Sequence, residues 1–417
     1  MASSYDVIVL GGGPIGLAAA YNCASRGQSV LLLEQFNFYN QSGSSNDLVR
    51  MYRTMYTEDF MADLAFQSLA VWDDLEAAAG EPLRWMTGLL NFGDPNYTSG
   101  PEGTLLGPIP NLQRLGLSYS ELTAQQIMAK YPLANLPDTF IGLYAPDNGC
   151  INVPLLLRTL YGLAAAAGAT LVENVQGQQL EVSDNGVTVS FIVDAVMQTA
   201  SAGSAIIACG AYANRLLAPL GFTLNLDIWE MVYEYYSTDP IAPTIFPSMW
   251  FQFLDPTGGD PTQSNLFYGF PTVPWGPPNQ ARIAVDNAVN VISDPSQRRI
   301  VPAANDLTIT AQFVANHCVG VDPWPNFAGT CLQANVPDNM YVLDFLPPAF
   351  GPGYDRVAIF CAGWGMKLVP VIGQILSQLV LDGQTSYDVS NFAITRPGVL
   401  NTSDAPAVVP RKGSEVH

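Results

Sequence analysis

Cations are scarce in this chain of 417 residues: 16 Lys and Arg stand against 36 Asp and Glu, for a formal net charge of -20. Only three lysines occur, Lys130, Lys367 and Lys412, and only two histidines, His317 and His417. Nucleic acid and anionic membrane surfaces need basic patches, so both are excluded as expected partners. A small anionic substrate needs only two or three well-placed cations and stays open. So few histidines argue against a His-rich metal site or a Ser-His hydrolase, and no metal is expected. No apolar run reaches membrane-spanning length, and "MASSYDVIVLGGG" has neither the basic start nor the cleavage site of a signal peptide. The six cysteines (Cys23, Cys150, Cys209, Cys318, Cys331, Cys361) contain no CxxC pair, which fits a reducing compartment. The expectation is a cytoplasmic protein; "SEVH" is not a peroxisomal address.

What is present is apolar mass. Hydrophobic residues make up 48% of the chain, enough for the two domains that its length suggests. "YDVIVLGGGPIGLAAAYNCASRGQSVLLLE" reads as strand, glycine turn, helix and strand. Gly11, Gly13 and Gly16 fit G-x-G-x-x-G: a tight turn, a close approach to pyrophosphate and a close helix–strand contact. The helix that follows aims its first N–H groups at the phosphates, Gly27 ends it, and Glu34 can accept hydrogen bonds from ribose hydroxyls. The motif alone does not separate FAD from NAD. The next stretch, "NFYNQSGSSNDLVRMYRTMY", is a polar loop carrying Arg50 and Arg53, not a further βαβ repeat.

Helical spacing follows in "MADLAFQSLAVWDDLEAAAG", a strand in "WMTGLLNFG" and a helix in "LTAQQIMAKYP". Asp184-Asn185-Gly186 signals a hairpin in "QQLEVSDNGVTVSFIV". "GSAIIACGAYANRLLAPLG" and "DRVAIFCAGWGMKLVPVIGQILSQLVLDG" return to strand, glycine turn and helix. Residues 226–325 hold aromatic β-type runs broken by Pro and Gly, which predicts antiparallel sheet. The expected domain limits are therefore 1–90, 151–225 and 326–396 for the nucleotide-binding part, 91–150 and 226–325 for a substrate part, and 397–417 for a loose tail. Cys331 is placed at a boundary between a loop and the apolar run "MYVLDF", where a free cysteine ordinarily just packs.

These segments together resemble the monomeric sarcosine oxidase family of flavin-dependent amine oxidases. The likeness is carried by the first motif, "SGSSNDLVRMYR", "FYGF", "TCL…DF", "AGWGMKLVPVIGQILSQLVLDGQTSYDVSNF" and "RPG". "YDVIVLGGGPIGLA", "NLFYGF" followed by "PWGP", and a tryptophan three residues before the lysine in "GWGMK" are similar to the imine-oxidising subgroup of nikkomycin biosynthesis. The resemblance implies an α/β fold: a Rossmann-like, glutathione-reductase-type FAD-binding domain with an inserted α+β substrate domain on an antiparallel sheet. It implies a monomer that oxidises a small amine or imine with O2, giving H2O2. It places Pro14, Ile15, Gln35, Ser44, Ser45, Arg50, Cys209, Gly210, Gly363, Gly365, Met366 and Lys367 against FAD, with Cys331 joined through sulfur to the flavin 8α carbon. Arg53 and Lys367 would hold a substrate carboxylate, Tyr268 and Trp364 would wall the pocket, and Asp286 and Glu102 match acids of the imine subgroup. Arg282 falls where the sarcosine enzymes keep a lysine thought to promote reaction with O2. Asn46 and Asp286 replace histidines of those enzymes. A sarcosine-type enzyme, a flavin dehydrogenase with another acceptor, an NAD(P)-type protein and a fold retained only for binding are the alternatives.

Overall fold

The computed structural model describes residues 3–45, 47–96, 103–253 and 266–401. The apolar run at the start forms the strand Ser3–Leu10, whose Val7, Ile8, Val9 and Leu10 are fully buried. Burial on both faces is why the run does not alternate. This strand pairs in parallel with Val30–Leu33 on one side and Val196–Ile207 on the other. Thr170–Val172 and Val357–Cys361 extend the parallel set, and the expected hairpin, Gln176–Ser183 with Gly186–Val193, continues it antiparallel. The nucleotide sheet is thus collected from three distant stretches. Helix Pro14–Ser25 begins with a proline at its first turn and crosses Val369–Asp382 closely. A Cβ on Gly373 would lie 2.6 Å from the Ala18 Cβ, so glycine sets that approach.

A second, nine-stranded sheet takes Ser120–Thr123, Ile141–Ala145 and Leu89–Gly93 from the first half of the chain. Met249–Phe253, Phe267–Phe270, Gln280–Val285, Asp227–Ser237, Ala288–Ile292 and Phe327–Asn335 complete it. Its pairs are antiparallel, as the aromatic runs predict, except that Leu89–Gly93 joins Met249–Phe253 in parallel. Cys331 is not at a loop boundary. It sits inside Phe327–Asn335, opposite Met231, because the polar residues after it continue the ladder. Val49–Tyr52, within the stretch expected to be a polar loop, is instead a strand of a three-stranded sheet with Gly149–Asn152 and Arg84–Trp85. Gly88, with φ +83°, breaks "WMTGLLNFG" into two strands. Among the described residues no helix is long and apolar enough to cross a membrane, and no cluster of His, Cys, Asp and Glu could hold a metal ion.

Successive residues of Asp227–Ser237 point to opposite faces, and this separates two polar groups. Tyr235 reaches the polar loop, while Glu234 turns into the core and accepts a hydrogen bond from Tyr236 Oη at 2.5 Å. Burial pushes the Glu234 carboxyl up to about 7, against the hydrogen bonds of Tyr236 and Thr310 and the charge of Arg282. A carboxyl raised in the folded state binds protons that the unfolded chain has lost. Stability therefore falls as pH climbs from about 4.5 to about 7 and then levels, a cost on the order of 3 kcal/mol. Glu234→Gln is expected to remove that slope. Denaturant unfolding at a series of pH values checks it: the variant's advantage should grow with pH through this window, and a constant difference would refute the assignment.

Candidate active site

The turn after the first strand is built so that backbone, not side chains, faces a cleft. Gly11 has φ +107°, and a Cβ there would strike Ala208 O at 2.5 Å; a Cβ on Gly16 would lie 1.9 Å from Gly11 O. A Cβ on Gly13 would meet only Ser45 Oγ, at 3.4 Å, so this glycine opens toward the cleft. Gly13 also caps the helix without a side chain, leaving the first N–H groups for an anion. Glu34 follows Val30–Leu33 directly and accepts from Gly12 N at 2.6 Å and Phe36 N at 2.9 Å. Burial pushes its carboxyl up, and the hydrogen bonds from Phe36, Gly12 and Asn40 oppose the rise.

The cleft holds about 680 Å3 and is lined by Gly11, Gly13, Pro14, Ile15, Glu34, Gln35, Ser44, Ser45, Cys209, Gly210, Gly363, Gly365 and Met366. These thirteen are among the residues that motif and resemblance set against the cofactor; Gly12, Phe36, Tyr39, Asn174 and Tyr212 line the cleft as well, and Gly16, Arg50, Cys331 and Lys367 do not. Size, a glycine cradle, free helix N–H groups and a carboxylate at the strand end fit a dinucleotide such as FAD. At the far end Gly363, with φ +68°, leaves no room for a Cβ beside Tyr341. The helix expected from Met366 opens as a single 3-10 turn, Gly365–Leu368, before Val369–Asp382.

Arg50 and Cys331 meet. Arg50 Nη2 lies 4.0 Å from Cys331 Sγ, and Ser44 Oγ donates to Leu332 O. Burial pushes the Cys331 thiol up; Arg50, Arg282 and Arg298 pull it down, and Asp47 adds to the rise. Arg298 donates to Gln41 O and Thr330 O, clasping the cysteine's strand to the polar loop.

A second group forms around Tyr56. Arg53, 4% exposed, sets its Cζ 4.5 Å from the Tyr56 ring centroid, and Lys367, 8% exposed, sets its Nζ 5.7 Å from the same ring. Two cations are thus held at one aromatic ring, both nearly closed to water. From Arg53 the aromatic line runs on through Phe251, 5.7 Å away, to Tyr268 and then Arg282, whose Nη2 donates to Tyr268 Oη at 3.4 Å. Burial pushes the Tyr268 phenol up; Arg282 and Arg50 pull it down, and Asp286 adds to the rise. Asp286, 5% exposed, is therefore within electrostatic reach of Tyr268. Trp364 is half-buried beside Gly363 and accepts from Tyr341 Oη through its backbone O. Glu102 and Asn46 lie outside the described residues.

Sequence reasoning missed Tyr56, Arg298 and Asp47. The Asp47 side chain is fully buried, contacts Arg50, lies 2.6 Å from Arg282 Nε and accepts from Tyr235 Oη. In the sequence it is one acid in a polar loop. The only signal was its place three residues before Arg50.

The sequence profile of the family described as FAD dependent oxidoreductase matches residues 6–379. A Dictyostelium discoideum protein whose name proposes a bifunctional amine oxidase is 48% identical over 94% of this chain, which spans 37% of that protein's length. Human peroxisomal sarcosine oxidase is 30% identical, over 94% of this chain and 96% of its own. Among solved structures, the open form of NikD, an unusual amino acid oxidase essential for nikkomycin biosynthesis, superposes with a TM-score of 0.84 at 33% identity, covering 94% of this chain and 97% of its own. The glycine cradle, the cleft it opens and these likenesses have one meaning: the chain belongs to the FAD dependent oxidoreductase family, in its amine-oxidase group.

Proposed function

We propose that the protein oxidises a C–N bond of a secondary amine or cyclic imine that carries a carboxylate, with O2 as acceptor and H2O2 as product. The observation that carries this reading is the pair of buried cations, Arg53 and Lys367, converging on Tyr56 beside the dinucleotide cleft. FAD held by the glycine cradle and Glu34 would supply a two-electron oxidation of the C–N bond, with O2 as the final acceptor. This chain's own residues do the rest. Arg53 offers its fork of donors to the carboxylate and Lys367 a point charge. Tyr268 and Trp364 supply flat walls. Asp286 accepts a hydrogen bond or proton from the reacting nitrogen, and buried Arg282 supplies positive charge nearby. Cys331 Sγ is the point of covalent attachment in this reading, and the protein works as a monomer.

Trp364 and Asp286 favour a ring over a small N-methyl amino acid. A ring needs a wall to lie against and an acid beside its nitrogen, and sarcosine needs neither. Saturating peroxide release is expected with pipecolate or piperideine carboxylate, and little with sarcosine. Asp286→Asn should lower kcat more than it raises KM, since its work is on the reacting nitrogen. Efficient turnover of sarcosine with none on the cyclic acids would overturn the substrate reading.

A further inference from the structure

We infer that Asp47 is a positioning residue for Cys331: its carboxylate gathers the guanidinium groups of Arg50 and Arg282 at one buried point and cancels one of their two positive charges beside the thiol.

Three elements meet at this carboxylate. Arg50 comes from Val49–Tyr52, Arg282 from Gln280–Val285 and Tyr235 from Asp227–Ser237. Oδ2 takes Arg50 Nη1, and Arg282 Nε at 2.6 Å; Oδ1 takes Tyr235 Oη, and Leu48 N at 2.7 Å. The side chain is 0% exposed, and the backbone holds φ +92°, a region that residues other than glycine seldom adopt. Such a conformation persists where surrounding contacts over-determine it, and four converge here. An amide at this position has one acceptor oxygen, too few for two guanidiniums and a phenol, and no charge to set against them.

The position matters to the thiol because Arg50 touches both groups: one nitrogen on Asp47, the other 4.0 Å from Cys331 Sγ. The titratable and charged groups facing Cys331 are Arg50, Asp47, Arg282, Arg298 and Tyr233, which its own charge influences in turn. Three of these favour the thiolate, and Asp47 opposes it. Removing the Asp47 charge should ease loss of the thiol proton to solvent. Removing the Arg282 charge should make it harder.

Opposite signs from two residues in one ion pair are what a charge account demands and what loosened packing does not give. In flavin-free protein, iodoacetamide labelling of the Cys331 peptide, followed by mass spectrometry over about pH 6 to 10, reads the thiolate fraction. Asp47→Asn is expected to shift the midpoint down by about one unit, a roughly tenfold faster labelling near neutral pH. Arg282→Gln is expected to shift it up by a similar amount. The double variant, which removes one charge of each sign, should return close to the starting profile. An unmoved midpoint in Asp47→Asn, or two single variants shifting the same way, overturns the inference. Should Asp47→Asn fail to fold, the double variant decides: restored folding with a near-original profile supports charge cancellation, and failure there too refutes it. The inference takes its purpose from the reading of Cys331 as the attachment point, but labelling reports thiol acidity either way. A colourless acid precipitate would sink the attachment and leave the labelling result standing.

Discussion

Acid precipitation of the holoprotein is expected to leave a yellow pellet, and Cys331→Ser to move all of that colour into the supernatant. Burial pushes Cys23 up to about 11 and Cys150, Cys318 and Cys361 up to about 12, with little or nothing cationic to oppose it. Those thiols stay protonated and unreactive at neutral pH. Cys209 lines the cleft, but burial and the Glu34 charge push it up as well, and its Sγ contacts Leu10 O at 3.1 Å. Burial pushes Cys331 up too, but here the guanidinium groups of Arg50, Arg282 and Arg298 pull against it. Cys209→Ser should therefore keep a yellow pellet. A colourless pellet from the unaltered protein would end the covalent reading, and a pellet still yellow in Cys331→Ser would move the bond to another cysteine.

Arg53→Met and Lys367→Met should each weaken binding of simple aromatic or heterocyclic acids by about 1.5–3 kcal/mol, roughly ten- to hundredfold in Kd. Both cations sit at the Tyr56 ring and are nearly closed to water, so little water competes for the charged contacts they can offer a carboxylate. Methionine keeps most of the volume and removes the charge. FAD itself should remain bound, since neither side chain lines the dinucleotide cleft. Spectral titration of the oxidised cofactor gives Kd directly. Unchanged affinity in both variants would mean that the substrate is held elsewhere.

Features of short sequence span were legible in advance. Gly11, Gly13 and Gly16 encode a turn, a cleft and a helix contact within six residues, and the structure repeats that order. Asp184-Asn185-Gly186 gives its hairpin for the same reason. The cleft residues came from motif and resemblance together. What stayed hidden depends on partners far along the chain. Tyr56 matters because Lys367, more than three hundred residues on, joins Arg53 at its ring, and nothing local marks a tyrosine for that role. Asp47 looks like a solvated loop acid until Arg282 and Tyr235 enclose it. Cys331 was misplaced in its strand because Gln333 and Asn335 read as loop, although Asp227–Ser237 supplies a ladder for them.

The parallel join between Leu89–Gly93 and Met249–Phe253 also bears on how the protein is made. The two strands are separated by much of the nucleotide-binding sheet, yet Gly93 approaches Phe253 so closely that a Cβ would lie 1.8 Å from its carbonyl oxygen. On a ribosome adding roughly 5–20 residues per second, the earlier strand waits on the order of ten seconds for its partner. Through that interval Leu90 and Phe92, fully buried at the end, have no Met249–Phe253 strand beside them. Slow, non-local pairing of this kind favours association between nascent chains over correct closure. Yield of folded protein should therefore respond to added chaperone more than to added flavin.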